Sequence, residues 1–211
     1  MTAREELIRL TDVEKRYGRQ SVLRIERLSI REGDRILLTG SNGSGKSTLL
    51  KLLAHVAPVN RGRIRWSPTL TAEPVGFVPQ HGGLYGELTI HDNFDLRRGL
   101  YGKERIDAAE SGDVRALGLA PLLDKRFDEL SGGYQRLAAV AAALHVDPTW
   151  LILDEPFGGV ERPYREAILG RLAQHDRRLR LLIVASPTPD EFPEANRRIE
   201  LEAGRIECSE R

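Results

Sequence analysis

The chain has 211 residues, of which 40% are hydrophobic, and its 32 Lys and Arg residues nearly balance its 31 acidic residues. This length is enough for a full hydrophobic core and favours one or two domains. A net charge of +1 gives no electrostatic reason to expect nucleic acid as a partner.

The single cysteine, Cys208, excludes an intrachain disulfide, and the first residues from Met1 onward lack the apolar segment of a signal peptide. No apolar run approaches the roughly 18 to 20 residues that a membrane-spanning helix needs. We therefore expect a cytoplasmic protein, and any membrane-spanning part must come from another chain.

Hydrophobic periodicity predicts strands and helices in alternation. In chain order these are strands at 7–14, 22–30 and 36–38, a helix at 47–55, strands at 63–66 and 75–78, a mostly helical stretch at 88–130, a helix at 131–144, a strand at 150–153, a helix at 163–173, a strand at 181–184, and a hairpin of 198–201 with 205–208. Such alternation predicts an α/β fold with a mainly parallel sheet, and the first strands predict an antiparallel β part near the N-terminus. We expect one domain over residues 1–211, with a core of 1–80 and 145–211 and an inserted helical subdomain at 81–144.

The stretch GSNGSGKST, residues 40–48, matches the phosphate-binding P-loop at its defined positions and lies between a predicted strand and a helix. Its glycines let successive backbone N–H groups point at phosphate oxygens, and the helix N-terminus adds a favourable dipole. Lys46 is expected to reach the β- and γ-phosphates, and the Ser47 hydroxyl to ligate Mg²⁺. The alternative is a Gly- and Ser-rich turn before an ordinary helix. The predicted nucleotide contacts are Gly40, Ser41, Asn42, Gly43, Ser44, Gly45, Lys46, Ser47 and Thr48.

The stretch WLILDE, residues 150–155, places two carboxylates at the end of a buried strand, which is where open α/β sheets place ligand chemistry. Asp154 is predicted to hold the metal through water. Glu155 is predicted to polarise an attacking water, a role that needs a carboxylate near the γ-phosphate. The alternative is that Asp154, Glu155 and Pro156 only form a turn, and an intact P-loop in the same chain favours the catalytic interpretation.

The stretch LSGGYQR, residues 130–136, predicts a second anion site at a helix start. Ser131 is a favourable N-cap, and the two glycines after it expose the first N–H groups of an Ala-rich helix. One nucleotide does not need two such sites. We therefore expect this one to take the γ-phosphate of ATP held by a second copy of the chain, in a head-to-tail two-fold dimer. An ordinary capped helix start is the alternative. The predicted contacts are Ser131, Gly132, Gly133 and Gln135.

Together these residues resemble the ATP-binding cassette (ABC) family of ATPases over nearly the whole chain. GSNGSGKST is similar to its Walker A motif, LSGGYQR to its signature motif and WLILDE to its Walker B motif, in the family's order. The resemblance implies that the fold is of the P-loop NTPase type. It also implies that Gln80 contacts Mg²⁺ and faces a transmembrane partner, and that Tyr17 stacks on adenine. Either residue could otherwise be an ordinary surface residue.

The chain departs from the family pattern at two places. Glu161 stands where the family usually has Asp, in a loop that crosses the dimer interface. Ser186 stands where the family has a histidine that contacts the γ-phosphate, and none of the five histidines follows the strand at 181–184. A serine can donate one hydrogen bond, but it is shorter than histidine and uncharged.

The resemblance implies an ATP-binding and ATP-hydrolysing subunit of an ABC transporter, with ATP and Mg²⁺ as cofactors. Its partners would be transmembrane permease subunits and a second copy of itself or a homologous ATPase, and it would lie on the inner face of the cell membrane. The predicted catalytic residues are Lys46, Gln80, Glu155 and Ser186, and the predicted metal ligands are Ser47, Gln80 and Asp154.

A second hypothesis is an ATP-gated assembly module with weak or no hydrolysis, which Ser186 favours. Non-transport relatives carry long coiled coils or two fused cassettes, and this chain has neither. Residues 84–90 are similar to the corresponding segment of exporter cassettes and favour export.

Overall fold

The computed structural model describes residues 4–210, and side chains only as far as residue 207. The expectations that rest on Met1 to Ala3 and on the Cys208 side chain therefore lie outside the described residues. The strands are β1 Glu6–Tyr17, β2 Gln20–Arg31, β3 Asp34–Thr39, β4 Arg61–Trp66, β5 Val75–Val78, β6 Trp150–Asp154, β7 Leu181–Ala185, β8 Arg197–Glu202 and β9 Arg205–Glu210. The helices are α1 Lys46–Leu53, α2 Pro68–Thr71, α3 Ile90–Leu100, α4 Gly112–Ala116, α5 Gly132–His145 and α6 Arg162–His175.

The strands form two sheets. The larger has the order β5-β6-β7-β3-β8-β9 and is parallel except for the antiparallel pair of β8 and β9. The smaller has the order β2-β1-β4 and is antiparallel throughout. The predicted α/β class is confirmed, with its mainly parallel sheet and its antiparallel part at the N-terminal end.

The central strands of the larger sheet are covered on both faces, as expected for parallel strands. All residues of β3, β6 and β7 are buried. Leu153 and Val184 belong to one hydrophobic cluster, which includes the buried apolar residues of α3 and α5. Ile152 and Ile183 point the other way, into a second cluster that includes α1 and the antiparallel sheet. The large sheet therefore separates two cores.

The stretch 88–130, predicted as mostly helical, is helical only in part. It contains α3, the five-residue α4, and 3-10 turns at Ala108–Glu110, Ala120–Leu122 and Phe127–Glu129. Gly102 and Gly118 have φ angles of 63° and 68°. Such left-handed positions end helical segments, so the two glycines divide the stretch.

Helix α5 starts after the N-cap Ser131 and is buried at every position from 137 to 145. A helix that is apolar all round belongs in a core, and its run of alanines allows close approach on every side. Within residues 4–210, no helix combines the length and the apolar character needed to cross a bilayer.

The carboxyl ends of the parallel strands meet at one edge of the sheet. Leu38 of β3 pairs with Ala185 of β7, and Ala185 pairs with Asp154 of β6. Val78 of β5 pairs with Leu153 of β6. The segments that follow β3, β5, β6 and β7 therefore lie side by side, which is where an open α/β sheet binds ligands.

Candidate nucleotide-binding site

The loop after β3 has a backbone that requires glycine at two positions. Gly40 has a φ of 145°, and a Cβ atom there would lie 2.0 Å from the carbonyl oxygen of Leu201. Gly45 has a φ of 106°, and its Cβ would lie 2.9 Å from a methyl group of Leu23. The loop is thus packed against β8 on one side and β2 on the other, and only glycine permits this approach.

Lys46 folds back over this loop. Its side chain is buried, and Nζ donates hydrogen bonds to the carbonyl oxygens of Gly40 at 2.8 Å and Ser41 at 3.1 Å. The Ser44 hydroxyl is buried too and has no hydrogen-bond partner among the described residues. The loop therefore encloses a cation and an unpaired hydroxyl, both suited to an anion.

Asp154, the last residue of β6, is completely buried. Neither of its carboxylate oxygens has a hydrogen-bond partner in the described part of the chain. Burial raises the pKa of Asp154, while the nearby Ser47 hydroxyl acts in the opposite direction. A buried carboxylate without a partner is costly, and a bound cation would offset that cost. Oxygen donors from Asp154 and Ser47 fit Mg²⁺, which prefers carboxylate and hydroxyl ligands.

Glu155 is held in a strained position between two neighbouring strands. Its φ of 50° is left-handed, and its backbone N–H donates to the Ala185 carbonyl at 2.9 Å. Gln80, two residues after β5, donates from Nε2 to the Glu155 carboxylate at 2.8 Å. The structure thus brings together Glu155 and Gln80, which are 75 residues apart in sequence.

Arg136 supports the segment that carries Gln80. Its guanidinium donates to the Pro79 carbonyl at 2.8 Å and also to the Gln80 carbonyl. Burial lowers the pKa of Arg136, and the charges of Asp154 and Glu155 oppose that shift. The sequence prediction missed Arg136, although it is the last residue of LSGGYQR.

The N-cap and the first turn of α5 form their hydrogen bonds outside this cluster. The Ser131 hydroxyl accepts from the Tyr134 backbone N–H at 3.5 Å, and both Ser131 and Gly132 are exposed. The Gln135 side chain donates to the Phe127 carbonyl at 3.1 Å. Across residues 4–210, no hydrogen bond joins the segment 131–133 to the loop after β3.

Tyr17 ends β1 and is 51% exposed, with Lys15 Nζ 5.2 Å from the centre of its ring. It pairs with Gln20 in the hairpin that leads into β2. The carbonyl of Val22 lies 3.1 Å from the Cβ position of Gly45. The exposed ring of Tyr17 therefore belongs to a hairpin that packs beside the glycine loop.

Ser186, directly after β7, is completely buried. Its hydroxyl donates to the Glu191 carboxylate and accepts from the Thr188 backbone N–H at 3.0 Å. Arg165 of α6 lies 3.6 Å from the Glu191 carboxylate. The Ser186 hydroxyl is therefore bonded within its own loop.

A glycine loop between a strand and a helix, with a lysine folded into it and a buried carboxylate on a neighbouring strand, defines a P-loop nucleotide-binding fold. The ABC transporter family matches residues 23–158. The chain belongs to the ABC transporter family.

Several curated proteins are similar over most of the chain. The sulfate/thiosulfate import ATP-binding protein CysA of Shigella flexneri is 32% identical over 214 aligned positions, covering 95% of this chain and 59% of that protein. The protein of the same name from Escherichia coli K12 is 33% identical with the same coverage. The chain thus spans about three fifths of the length of the curated relatives it matches.

Solved structures share the fold. A dimeric bacterial ABC transporter cassette has a TM-score of 0.83 at 24% identity, covering 97% of this chain and 98% of the other. A bacterial Atm1-family ABC exporter with ATP bound has a TM-score of 0.82 at 22% identity, covering 99% of this chain and 39% of the other.

Proposed function

We propose that this protein is the ATP-binding and ATP-hydrolysing subunit of an ABC transporter. It powers a separate transmembrane partner through ATP-dependent head-to-tail dimerisation. The observation that carries the proposal is the completely buried carboxylate of Asp154, whose charge the Ser47 hydroxyl and two nearby lysines offset only in part. Such a carboxylate is costly in a protein that binds nothing, and it suits a site that takes Mg²⁺ with a nucleotide.

The phosphates would bind in the glycine loop at residues 40–48. Lys46 is already buried in the loop, and it would exchange its bonds to the Gly40 and Ser41 carbonyls for the β- and γ-phosphates. Ser47, Asp154 and Gln80 would hold Mg²⁺, which neutralises charge on the phosphates. The half-exposed Tyr17 ring, in the hairpin whose second strand packs beside the loop, would stack on adenine.

Glu155 would polarise the attacking water. Its carboxylate accepts a hydrogen bond from Gln80, and its backbone is fixed to Ala185, so its position is set from both neighbouring strands. Positioning and electrostatic stabilisation dominate phosphoryl transfer. Glu155, Gln80 and Lys46 of one chain would therefore activate the water, bind the metal and bind the phosphates.

The exposed start of α5 supports a second copy as partner. Ser131 and Gly132 face solvent and make no hydrogen bond to the glycine loop of their own chain within residues 4–210. Their free N–H groups would bind the γ-phosphate on the facing subunit. A dimeric cassette among the structures of the same fold supports this arrangement.

An apolar groove supports a transmembrane partner. The groove has a volume of about 440 Å³ and lies between the end of α1 and helix α3. Its wall includes Val56, Tyr85 and Leu100, which are 58%, 63% and 73% exposed. Exposed apolar patches mark interaction sites. This groove is lined by residues of both the proposed core, 1–80 with 145–211, and the proposed helical subdomain, 81–144. A partner helix in the groove would contact both parts and hold the protein at the inner face of the membrane.

The direction of transport has support on both sides. Residues 84–90 are similar to exporter cassettes, whereas the curated relatives are described as import proteins. Substrate choice in this family belongs largely to the membrane subunits. A transport assay with the membrane subunits that bind this chain would therefore assign both direction and cargo.

The second candidate function is an ATP-gated assembly module with weak or no hydrolysis. It is favoured by one observation: the Ser186 hydroxyl, at the position of the expected histidine, is bonded to Glu191 and Thr188 inside its own loop. No imidazole therefore reaches the γ-phosphate from this loop.

The deciding experiment compares phosphate release by the wild type and by Glu155→Gln, each reconstituted with the membrane partner and Mg-ATP. We expect the wild type to be at least 100-fold faster, on the scale of general-base catalysis of about 10² to 10⁴. Equal rates, with ATP-dependent dimerisation intact, would instead support the assembly module. A wild type that binds no ATP would refute both functions.

A further inference from the structure

Two tyrosine hydroxyls join the beginnings of α5 and α6. The hydroxyl oxygens of Tyr134 and Tyr164 lie 2.8 Å apart, and either can be the donor. Their ring centres are 5.4 Å apart at an interplanar angle of 59°. Tyr134 lies three residues after the N-cap Ser131, and Tyr164 lies three residues after the N-cap Glu161. The contact therefore connects the first turns of the two helices.

Each helix start follows a segment near the proposed nucleotide chemistry: the first contains the proposed site for the γ-phosphate of the facing subunit, and the second follows Glu155. We call residues 131–133 the signature segment and residues 156–161, which follow Glu155, the post-carboxylate segment. The two segments also approach each other through their backbones, because a Cβ atom on Gly133 would lie 3.9 Å from the Gly159 carbonyl oxygen. The hydroxyl pair thus joins the first turns of two helices whose preceding segments lie close together.

The surroundings of the two rings favour the hydrogen bond between Tyr134 and Tyr164. Both rings are partly buried against the hydrophobic core. The hydrogen bond between Tyr164 and Tyr134 is the main cause, with burial second, of a pKa of Tyr164 above the ordinary tyrosine value. The Tyr164 hydroxyl therefore stays protonated at physiological pH. A directional hydrogen bond fixes the separation of two helices more narrowly than apolar contact between rings does.

We propose that Tyr134 and Tyr164 are positioning residues whose hydroxyl bridge holds the signature and post-carboxylate segments as one rigid surface that engages nucleotide bound to a second copy of the chain. The inference rests on the proposed function, and it adds residues that act through the two segments without touching nucleotide. Neither tyrosine has a hydrogen bond to the glycine loop at residues 40–48 among the described residues. The bridge should therefore affect binding to the facing subunit and leave ATP binding by the same chain unchanged.

The test uses the full-length chain in the Glu155→Gln background, which is expected to trap the ATP-bound dimer. The variants are Tyr134→Phe, Tyr164→Phe and both together, each of which keeps the ring and removes a hydroxyl. Tyr101→Phe is the matched control, because it removes a hydroxyl that donates to the Val75 carbonyl at 2.9 Å, in another part of the chain. The measurements are the Mg-ATP concentration for half-maximal dimerisation by light scattering, and ATP affinity at protein concentrations that keep the chain monomeric.

Each single variant should raise the half-maximal Mg-ATP concentration by about 2- to 12-fold, the range expected for one net hydrogen bond. The double variant should be no worse than either single variant, because one bond is lost in all three. Monomeric ATP affinity and the Tyr101→Phe control should stay at the parent value.

Single variants that dimerise at the parent's ATP concentration would overturn the bridge while leaving the proposed function intact. Additive losses in the double variant, or an equal loss of monomeric ATP affinity, would overturn it as well, since either points to general destabilisation. A parent that binds ATP but never dimerises would overturn the head-to-tail dimer, and the bridge with it.

Discussion

Replacing Asp154 by Asn is expected to stabilise the protein in the absence of nucleotide and magnesium. The Asp154 carboxylate is completely buried, and neither oxygen has a hydrogen-bond partner among the described residues. At neutral pH the unfolded chain solvates this charge with water, whereas in the folded chain the Ser47 hydroxyl and the charges of Lys51 and Lys46 offset the cost of burial only in part. Asparagine has nearly the same shape and no charge, so the substitution removes a cost that the wild type retains for function.

The sign of the pH dependence follows from the pKa. Burial raises the pKa of Asp154 in the folded state, so the folded state holds the proton more tightly than the unfolded state. The stability that this bound proton contributes is fully present below the Asp pKa of the unfolded chain, about 3.9. It is lost as the pH rises through the higher pKa of Asp154 in the folded chain. The variant does not titrate at this position. Its advantage over the wild type should therefore be absent in acid and grow as the pH rises.

The expected gain at pH 7.5 is about 1 to 2 kcal/mol, since an unpartnered buried group costs about 1 to 3 kcal/mol and the Asn amide retains part of that cost. For a chain of this size the gain corresponds to a rise of roughly 2 to 8 °C in Tm.

Urea unfolding with a metal chelator, across a series of pH values, measures this gain. Glu155→Gln is the matched control. The Glu155 carboxylate is partly exposed and already bonded to Gln80, so its replacement should change stability by less than about 0.5 kcal/mol. An Asp154→Asn variant that is less stable than the wild type at pH 7.5, or a difference that does not change with pH, would refute the reasoning.

Three further outcomes are expected. Gly40→Ala should lower the free energy of unfolding by about 2 to 5 kcal/mol, because its Cβ would lie 2.0 Å from the Leu201 carbonyl oxygen. Gly43→Ala, whose Cβ would have no atom within 4 Å, should lower it by only about 1 to 2 kcal/mol. Equal losses for the two variants in thermal unfolding would contradict this reasoning. Arg136→Ala should remove about 1.5 to 3 kcal/mol of stability in urea unfolding and reduce phosphate release, while ATP affinity stays near the wild-type value. Tyr17→Ala should weaken ATP binding by about 2- to 12-fold in calorimetry, because stacking contributes about 0.5 to 1.5 kcal/mol, and Tyr17→Phe should leave it unchanged. Equal ATP affinities for Tyr17→Ala and the wild type would show that Tyr17 is not part of the site.

The sequence predicted the strands of the large sheet well because each is a short apolar run with clear breaks. The run at 181–184 became β7, and the run at 150–153 became β6. The stretch at 88–130 was harder, because glycines with left-handed backbone interrupt it and their φ angles depend on tertiary packing. The pairing of β4 with β1 joins residues about 55 positions apart, and periodicity alone carries no information about such partners.

Motifs predicted the parts of the site but not how they are held. Spacing identified Lys46 because it ends a glycine loop at the start of a helix, and it identified Asp154 and Glu155 because they lie at the end of a buried strand. The bonds from Gln80 to Glu155 and from Arg136 to the Gln80 carbonyl join separate strands and helices, so no local pattern predicts them. The role of Tyr134 was missed for the same reason, because its partner lies 30 residues further along the chain.

A substitution at Ser186 would change the packing of its loop as well as the groups near the γ-phosphate. A histidine placed there would enter a completely buried position, and overpacking of that kind costs about 1 to 3 kcal/mol. It would also remove the hydrogen bond that Ser186 donates to Glu191. A slow Ser186→His variant would therefore report on loop packing as much as on chemistry. Comparison of the wild type with Glu155→Gln avoids this problem, because it leaves the loop unchanged. A faster wild type would mean that Glu155, Lys46 and Gln80 suffice for hydrolysis without an imidazole at position 186.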